Sequence, residues 1–163
     1  MASDRKPLLA LFFILFIVMV GFGVIIPVLP FYAESFGATP FIIGLLMATY
    51  SLMQFIFAPQ WGALSDRLGR KPILLVGMLG YAVSFLILAL ANSIAMLFLA
   101  RIVGGILSSA VLPTSLAYVS DITSERDRGG GMGLMGAAMG VGMIFGPAIG
   151  GGLSFISIEA VSY

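Results

Sequence analysis

Residues 62 to 72 read Gly62-Ala63-Leu64-Ser65-Asp66-Arg67-Leu68-Gly69-Arg70-Lys71-Pro72, a charged segment between two uncharged runs. The run before it, from Pro40 to about Ala63, has no Asp, Glu, Lys or Arg, and neither does the run from Ile73 to about Leu90. A bilayer core of ~30 Å takes about 20 apolar residues per helix, so the segment reads as a turn between two membrane-spanning helices. Working outward gives five spans. Span 1 covers about Pro7 to Leu29, and span 2 opens on Thr39-Pro40, an N-cap residue followed by proline at the first helical position, and continues to about Ala63. Span 3 runs from Pro72 to about Leu90, span 4 from Ile94 to about Val119, and span 5 from about Met132 to Gly152. Residues 153 to 163 are too short to cross and are expected as an extracytoplasmic tail that ends in a truncation.

Composition agrees with this reading. Of the 163 residues 60% are hydrophobic and 9% charged, against roughly 25% charged in a soluble domain. With a mean hydropathy of +1.14, a water-soluble globule is excluded. There is no cysteine and no histidine, which removes thiolate metal sites and histidine acid–base chemistry. No nucleophile–base pair or metal-ligand set is legible, so neither an enzyme nor a cofactor or metal site is expected. A net charge of +1 argues against nucleic acid as a partner.

The basic residues set an orientation. Arg5 and Lys6 precede span 1, Arg67, Arg70 and Lys71 join spans 2 and 3, and Arg126 and Arg128 join spans 4 and 5. All fall on one side, and the eighth basic residue, Arg101, lies within span 4. The positive-inside rule places the amino terminus and both charged loops in the cytoplasm of a multi-pass cell-membrane protein. A signal peptide is the competing reading of the first 33 residues. The apolar stretch is too long for one, and Pro27 and Pro30 interrupt the region where cleavage would occur.

A loop made basic to hold topology explains three positive charges, but not Asp66 or the glycines at both ends. Gly62 permits close backbone approach, Gly69 permits a left-handed turn, and Asp66 and Arg70 stand four apart, within pairing distance on a helix. The pattern G-x-L-S-D-R-x-G-R-K, found here between spans 2 and 3, resembles the signature loop of the major facilitator superfamily. That resemblance implies a twelve-span transporter fold of two six-helix halves. It also implies a gating charge cluster made by Gly62, Asp66, Arg67, Gly69 and Arg70, with Asp121 at the end of span 4 as a further acid.

Three later elements follow in the order the resemblance implies. Span 1 ends Gly23-Val24-Ile25-Ile26-Pro27-Val28-Leu29-Pro30, which is similar to a motif of drug:proton antiporters and tetracycline exporters; a plain proline kink is the alternative. Span 4 carries Leu99-Ala100-Arg101-Ile102-Val103-Gly104-Gly105. Arg101 lies about seven residues, ~10 Å, below the outer surface, where a charge is a functional candidate by default. Arg101, Gly105, Ser108, Leu112 and Ser115 trace a small, mostly polar stripe that suits a cavity wall, with snorkelling of Arg101 to the outer headgroups as the alternative. The resemblance associates this arginine with proton transfer. Span 5 contains Gly142-Met143-Ile144-Phe145-Gly146-Pro147-Ala148-Ile149-Gly150-Gly151, similar to the element that marks antiporters within the superfamily. Ala138, Gly142, Gly146 and Gly150 make a small-residue ladder for close helix packing; a dimerisation seam accounts for the ladder but not for the Gly146-Pro147 pair. On span 2, Tyr50, Gln54, Phe57 and Trp61 share one face that is either a wall for apolar ligands or ordinary packing.

The expected fold is therefore an all-α polytopic membrane protein of about five spans, resembling most of the amino-terminal half of such a transporter. The expected function is proton-coupled export of small apolar or amphipathic drugs, with Arg101, Tyr50 and Gln54 in the proton and substrate cavity. The partners would be lipid, drug, protons and a missing carboxy-terminal half that supplies the helices facing the loop cluster and the span 5 ladder. The alternatives are a non-transporting fragment that inserts and self-associates, and a metabolite symporter half. One departure from the resembled pattern stands out: residues 16 to 26 of span 1 hold no acid, where many proton-coupled relatives carry one.

Overall fold

In the computed structural model, which describes residues 5–161, six helices follow one another with no strand among the described residues. They are α1 (Arg5–Glu34), α2 (Pro40–Leu68), α3 (Arg70–Ala89), α4 (Ile94–Ser108), α5 (Val111–Ile122) and α6 (Arg128–Val161). Helices α4 and α5 together form one span, so five helical segments are long and apolar enough to cross a membrane.

Local chemistry explains several boundaries. The Thr39 hydroxyl accepts from the Ile42 amide at 3.4 Å and Pro40 opens α2, and the Ser93 hydroxyl accepts from Met96 in the same way at α4. Besides α1, which runs past Leu29 to Glu34, and α6, which begins at Arg128 rather than Met132, three boundaries differ from the expected ones. Helix α2 continues past the apolar run to Leu68, because Ser65, Asp66 and Arg67 can all occupy a helix that projects from the bilayer. Helix α6 does not stop at Gly152 but runs on to Val161, so the segment expected as a separate tail continues the helix that far, while Ser162 and Tyr163 lie outside the described residues. The third difference is a break in span 4 at Ser109–Ala110. Pro113 offers no N–H to the Ser109 carbonyl four residues back, and one step earlier the Ala110 amide bonds Leu107 at 3.2 Å, which frees the Ile106 carbonyl. The stranded Ile106 carbonyl accepts from Ser109 Oγ and, across the helix interface, from Trp61 Nε1, both at 2.6 Å.

Two apolar cores hold the bundle. One, at the end carrying the charged loops, joins Leu11, Leu15 and Val18 of α1 to Leu74, Val111, Val119 and Met135. The other, at the opposite end, joins Ile25, Leu29 and Ala33 to Leu46, Ala91 and Leu97, and the Tyr32 hydroxyl donates to the Ala91 carbonyl there at 2.6 Å. Between them along the helices lies a polar layer of Tyr50, Ser84, Arg101 and Ser108, all buried. The outer surface is inverted relative to a soluble protein: Phe55 is 81% exposed, Phe41 73% and Ile144 73%. Apolar surface of this extent is stable in hydrocarbon and aggregates in water.

Candidate functional site

Two groups of residues merit attention, one at the charged end and one in the polar layer. At the charged end Arg70 is the hub. Its NH1 contacts Asp66 Oδ1 at 2.5 Å and donates to Ser65 Oγ at 2.7 Å, while its Nε donates to Asp121 Oδ2 at 2.8 Å. One planar guanidinium thus ties the end of α2, the start of α3 and the end of α5 together, which Lys could not reproduce with its single nitrogen. The two carboxylates are more than half exposed, so each pair is worth about 0.2–1 kcal/mol. The cluster has a geometric role rather than a large stabilising one.

Gly69 makes this geometry possible. It breaks the chain between α2 and α3 at φ 95°, ψ 156°, a region open essentially to glycine alone. Asp66 and Arg70 therefore pair across a helix break rather than along one helix. Replacing Gly69 by alanine is expected to lower stability by about 1–3 kcal/mol, read as a lowered unfolding temperature in detergent; an unchanged midpoint would mean the turn relaxes without cost. Gly62 departs from the expected role. A Cβ there would meet only Pro113, at 4.0 Å, so no close approach requires glycine, although its carbonyl accepts from Ser65 Oγ at 2.8 Å. Arg67 is exposed and takes no part in the ion pairs found among the described residues, all of which belong to Arg70. Contrary to expectation, the cluster is assembled within this chain and needs no second half to form.

In the polar layer, Tyr50 and Gln54 of α2 line a cavity of about 220 Å³ with Val18, Phe22, Ser108 and Leu112 among its walls. The Tyr50 hydroxyl shares a hydrogen bond with Ser108 Oγ at 2.9 Å and accepts from Gln54 Nε2 at 3.2 Å, and Ser108 donates to the Gly104 carbonyl at 2.6 Å. Phe57 and Trp61 are not on this wall. The span 4 stripe is only partly a cavity face: Ser108 and Leu112 reach the cavity, whereas Gly105 is pressed against α2, where a Cβ would lie 2.8 Å from the Tyr50 carbonyl.

Arg101 is 3% exposed, which rules out snorkelling to the headgroups in this conformation. It does not line the cavity either; its guanidinium carbon sits 5.4 Å from the centroid of the Tyr50 ring. Its Nε and NH2 find no hydrogen-bond partner among the described residues.

The glycine ladder also has its partner inside the chain. A Cβ on Gly146 would lie 2.5 Å from the Val20 carbonyl and 2.6 Å from Gly23 Cα, and one on Gly142 would lie 2.8 Å from the Phe16 carbonyl. Gly150 faces Val24, and Pro147 Cδ lies against Gly23. The ladder is the seat of α1, so it is not a free seam for dimerisation and does not wait for a missing half. Sequence reading placed Trp61 on an aromatic face without its role, the cap of the broken span 4, and missed Tyr81, whose hydroxyl donates to the Val18 carbonyl at 2.7 Å. Pro113 signalled a break in span 4 but not which carbonyl Trp61 would take; nothing in the sequence pointed to Tyr81.

Comparison with known proteins adds an independent line. Residues 11–163 match the Major Facilitator Superfamily. The chain is 35% identical over 153 residues to the quinolone resistance protein NorA of Staphylococcus aureus, covering 94% of this chain and 39% of that protein. It is 44% identical over 144 residues to the class C tetracycline resistance protein of Escherichia coli, covering 86% and 36%. Among solved structures it is similar to the human organic anion transporter MFSD10 (TETRAN), with a TM-score of 0.82 and 28% identity over 93% of this chain and 42% of that one. The chain thus spans about two fifths of the length of these relatives.

Proposed function

Because the chain belongs to the Major Facilitator Superfamily, a family of transporters, we propose that it forms the first five spans of a proton-driven drug exporter. The charged end faces the cytoplasm, following the positive-inside rule, and the cavity at Tyr50 and Gln54 belongs to the substrate path. The gate is the cluster of Gly62, Asp66, Arg67, Gly69, Arg70 and Asp121, with Arg70 as its hub. The ladder of Gly142, Gly146, Pro147 and Gly150 keeps α1 and α6 as one rigid wall, and a carboxy-terminal half closes the path.

The observation that carries this reading is the triple contact of Arg70 with Ser65, Asp66 and Asp121. It links the 2–3 loop to the end of span 4 by weak, exposed pairs, which is the property of a latch that must open and close. Resistance relatives for quinolones and tetracycline point to the same class of cargo.

The test uses the full reading frame that contains this chain, expressed in cells stripped of their own efflux pumps. Expression is expected to lower accumulation of a tetracycline or a quinolone, and an uncoupler is expected to restore it. Accumulation unchanged by expression defeats drug export. Export that survives collapse of the proton gradient defeats proton coupling alone.

A further inference from the structure

Arg101 presents an electrostatic problem that the chain does not solve. It is 3% exposed, stacked on the Tyr50 ring, and two of its nitrogens are unbonded. A buried cation is tolerated when it is paired, and among the described residues no anion is placed to pair with it. Asp66, Asp121, Glu125 and Asp127 stand at the charged end, and Glu34 closes α1 at the other. Stacking on Tyr50 offsets part of the burial, but supplies no acceptor for the idle N–H groups.

The position of Tyr50 connects this unfinished cation to the substrate path. Tyr50 lines the cavity on one count and covers Arg101 on another. Its hydroxyl is held by Ser108 and Gln54 and its ring packs against Phe22, with centroids 5.9 Å apart, so a rotation of the ring exchanges two hydrogen bonds and one ring contact and brings the guanidinium to the cavity. Resting on the reading of this cavity as a substrate site, we infer that the transporter takes substrates bearing a carboxylate or an equivalent anionic oxygen group, and that Arg101 binds that group when the Tyr50 ring swings aside. A fork of N–H donors matches a carboxylate in two-point geometry. The surrounding Val18, Phe22 and Leu112 take an aromatic or aliphatic body, and an organic cation is repelled.

The test is equilibrium binding to purified protein in detergent at neutral pH. The probes are radiolabelled 2-naphthaleneacetate and its uncharged counterpart 2-naphthaleneacetamide, which differ in charge and hardly in size. The acid is expected to bind about tenfold more tightly than the amide or better, the range of a charge-assisted hydrogen-bonded pair. In Arg101→Gln the ratio should fall to about one, and in Arg101→Lys a preference for the acid should persist. The ratio is taken within each variant, so partial loss of folded protein leaves it unaffected. Equal affinity for the two probes in the unmodified protein overturns the inference. A ratio that Arg101→Gln leaves unchanged does the same, since the anion would then be held elsewhere. A ratio near one in the presence of normal drug export means that the transport reading survives and Arg101 pairs with a carboxylate of the protein instead. An acid preference that depends on Arg101, with drug export absent, leaves the anion site standing and removes only the export reading.

Discussion

Arg70→Gln is expected to reduce drug export to the level of cells lacking the transporter, while the amount of protein inserted in the membrane stays the same. The amide of glutamine can reach one acceptor; Arg70 serves Ser65, Asp66 and Asp121 at once, from two edges of its guanidinium. Removing it leaves two carboxylates facing each other without a cation, so the closed arrangement of the charged end is the one that loses. Its stability contribution is small, about 0.4–2 kcal/mol for two exposed pairs, so a thermal midpoint that barely moves should accompany the loss of export. Arg70→Lys should recover little, because a single ammonium cannot hold both arms of the cluster. Asp66→Asn should also abolish export with insertion intact, by removing one arm. Export at normal rates in Arg70→Gln would remove the cluster from the gate, and a large drop in thermal midpoint would make it a structural staple.

Gly146→Leu should prevent α1 and α6 from docking. The contacts opposite Gly146 are backbone atoms of Val20 and Gly23, which cannot rotate away as a side chain can. Core overpacking commonly costs about 1–3 kcal/mol, and where backbone must part the cost falls at or above the top of that range. The expected result is loss of a monodisperse peak in size-exclusion chromatography and a thermal midpoint lowered by many degrees. Gly140→Leu is the control: a Cβ at Gly140 meets nothing within 4 Å, so its midpoint should stay near that of the parent. The comparison separates two readings of the ladder. A dimer seam would turn dimers into stable monomers with the midpoint preserved, and equal tolerance of both substitutions would show that α1 seats elsewhere.

Much of this architecture follows from local chemistry. Spans 2 and 4 begin where their caps and prolines say they should, because a helix in lipid must satisfy its backbone internally and span about 30 Å. Those demands are local, and they are written in runs of residues. The Asp66–Arg70 spacing was equally legible, as was Asp121 as a further acid. The extension of α2 to Leu68 was not, since the apolar pattern stops at Ala63 although the backbone does not. Charged residues continue a helix out of the bilayer as readily as they end one.

What only the tertiary structure decided concerns partners. Sequence showed a glycine ladder but not that α1 is what it holds, and it showed Arg101 inside a span but not the Tyr50 ring that covers it. It marked Trp61 as one of several aromatics, whereas the bundle assigns it the Ile106 carbonyl left free where the Ala110 amide turns to Leu107. The physical reason is common to all three. Hydrophobicity and helix capping act within one segment, so one segment records them. A close backbone approach, a stacked cation or a stranded carbonyl is defined by two segments far apart in the chain, and neither one alone names the other.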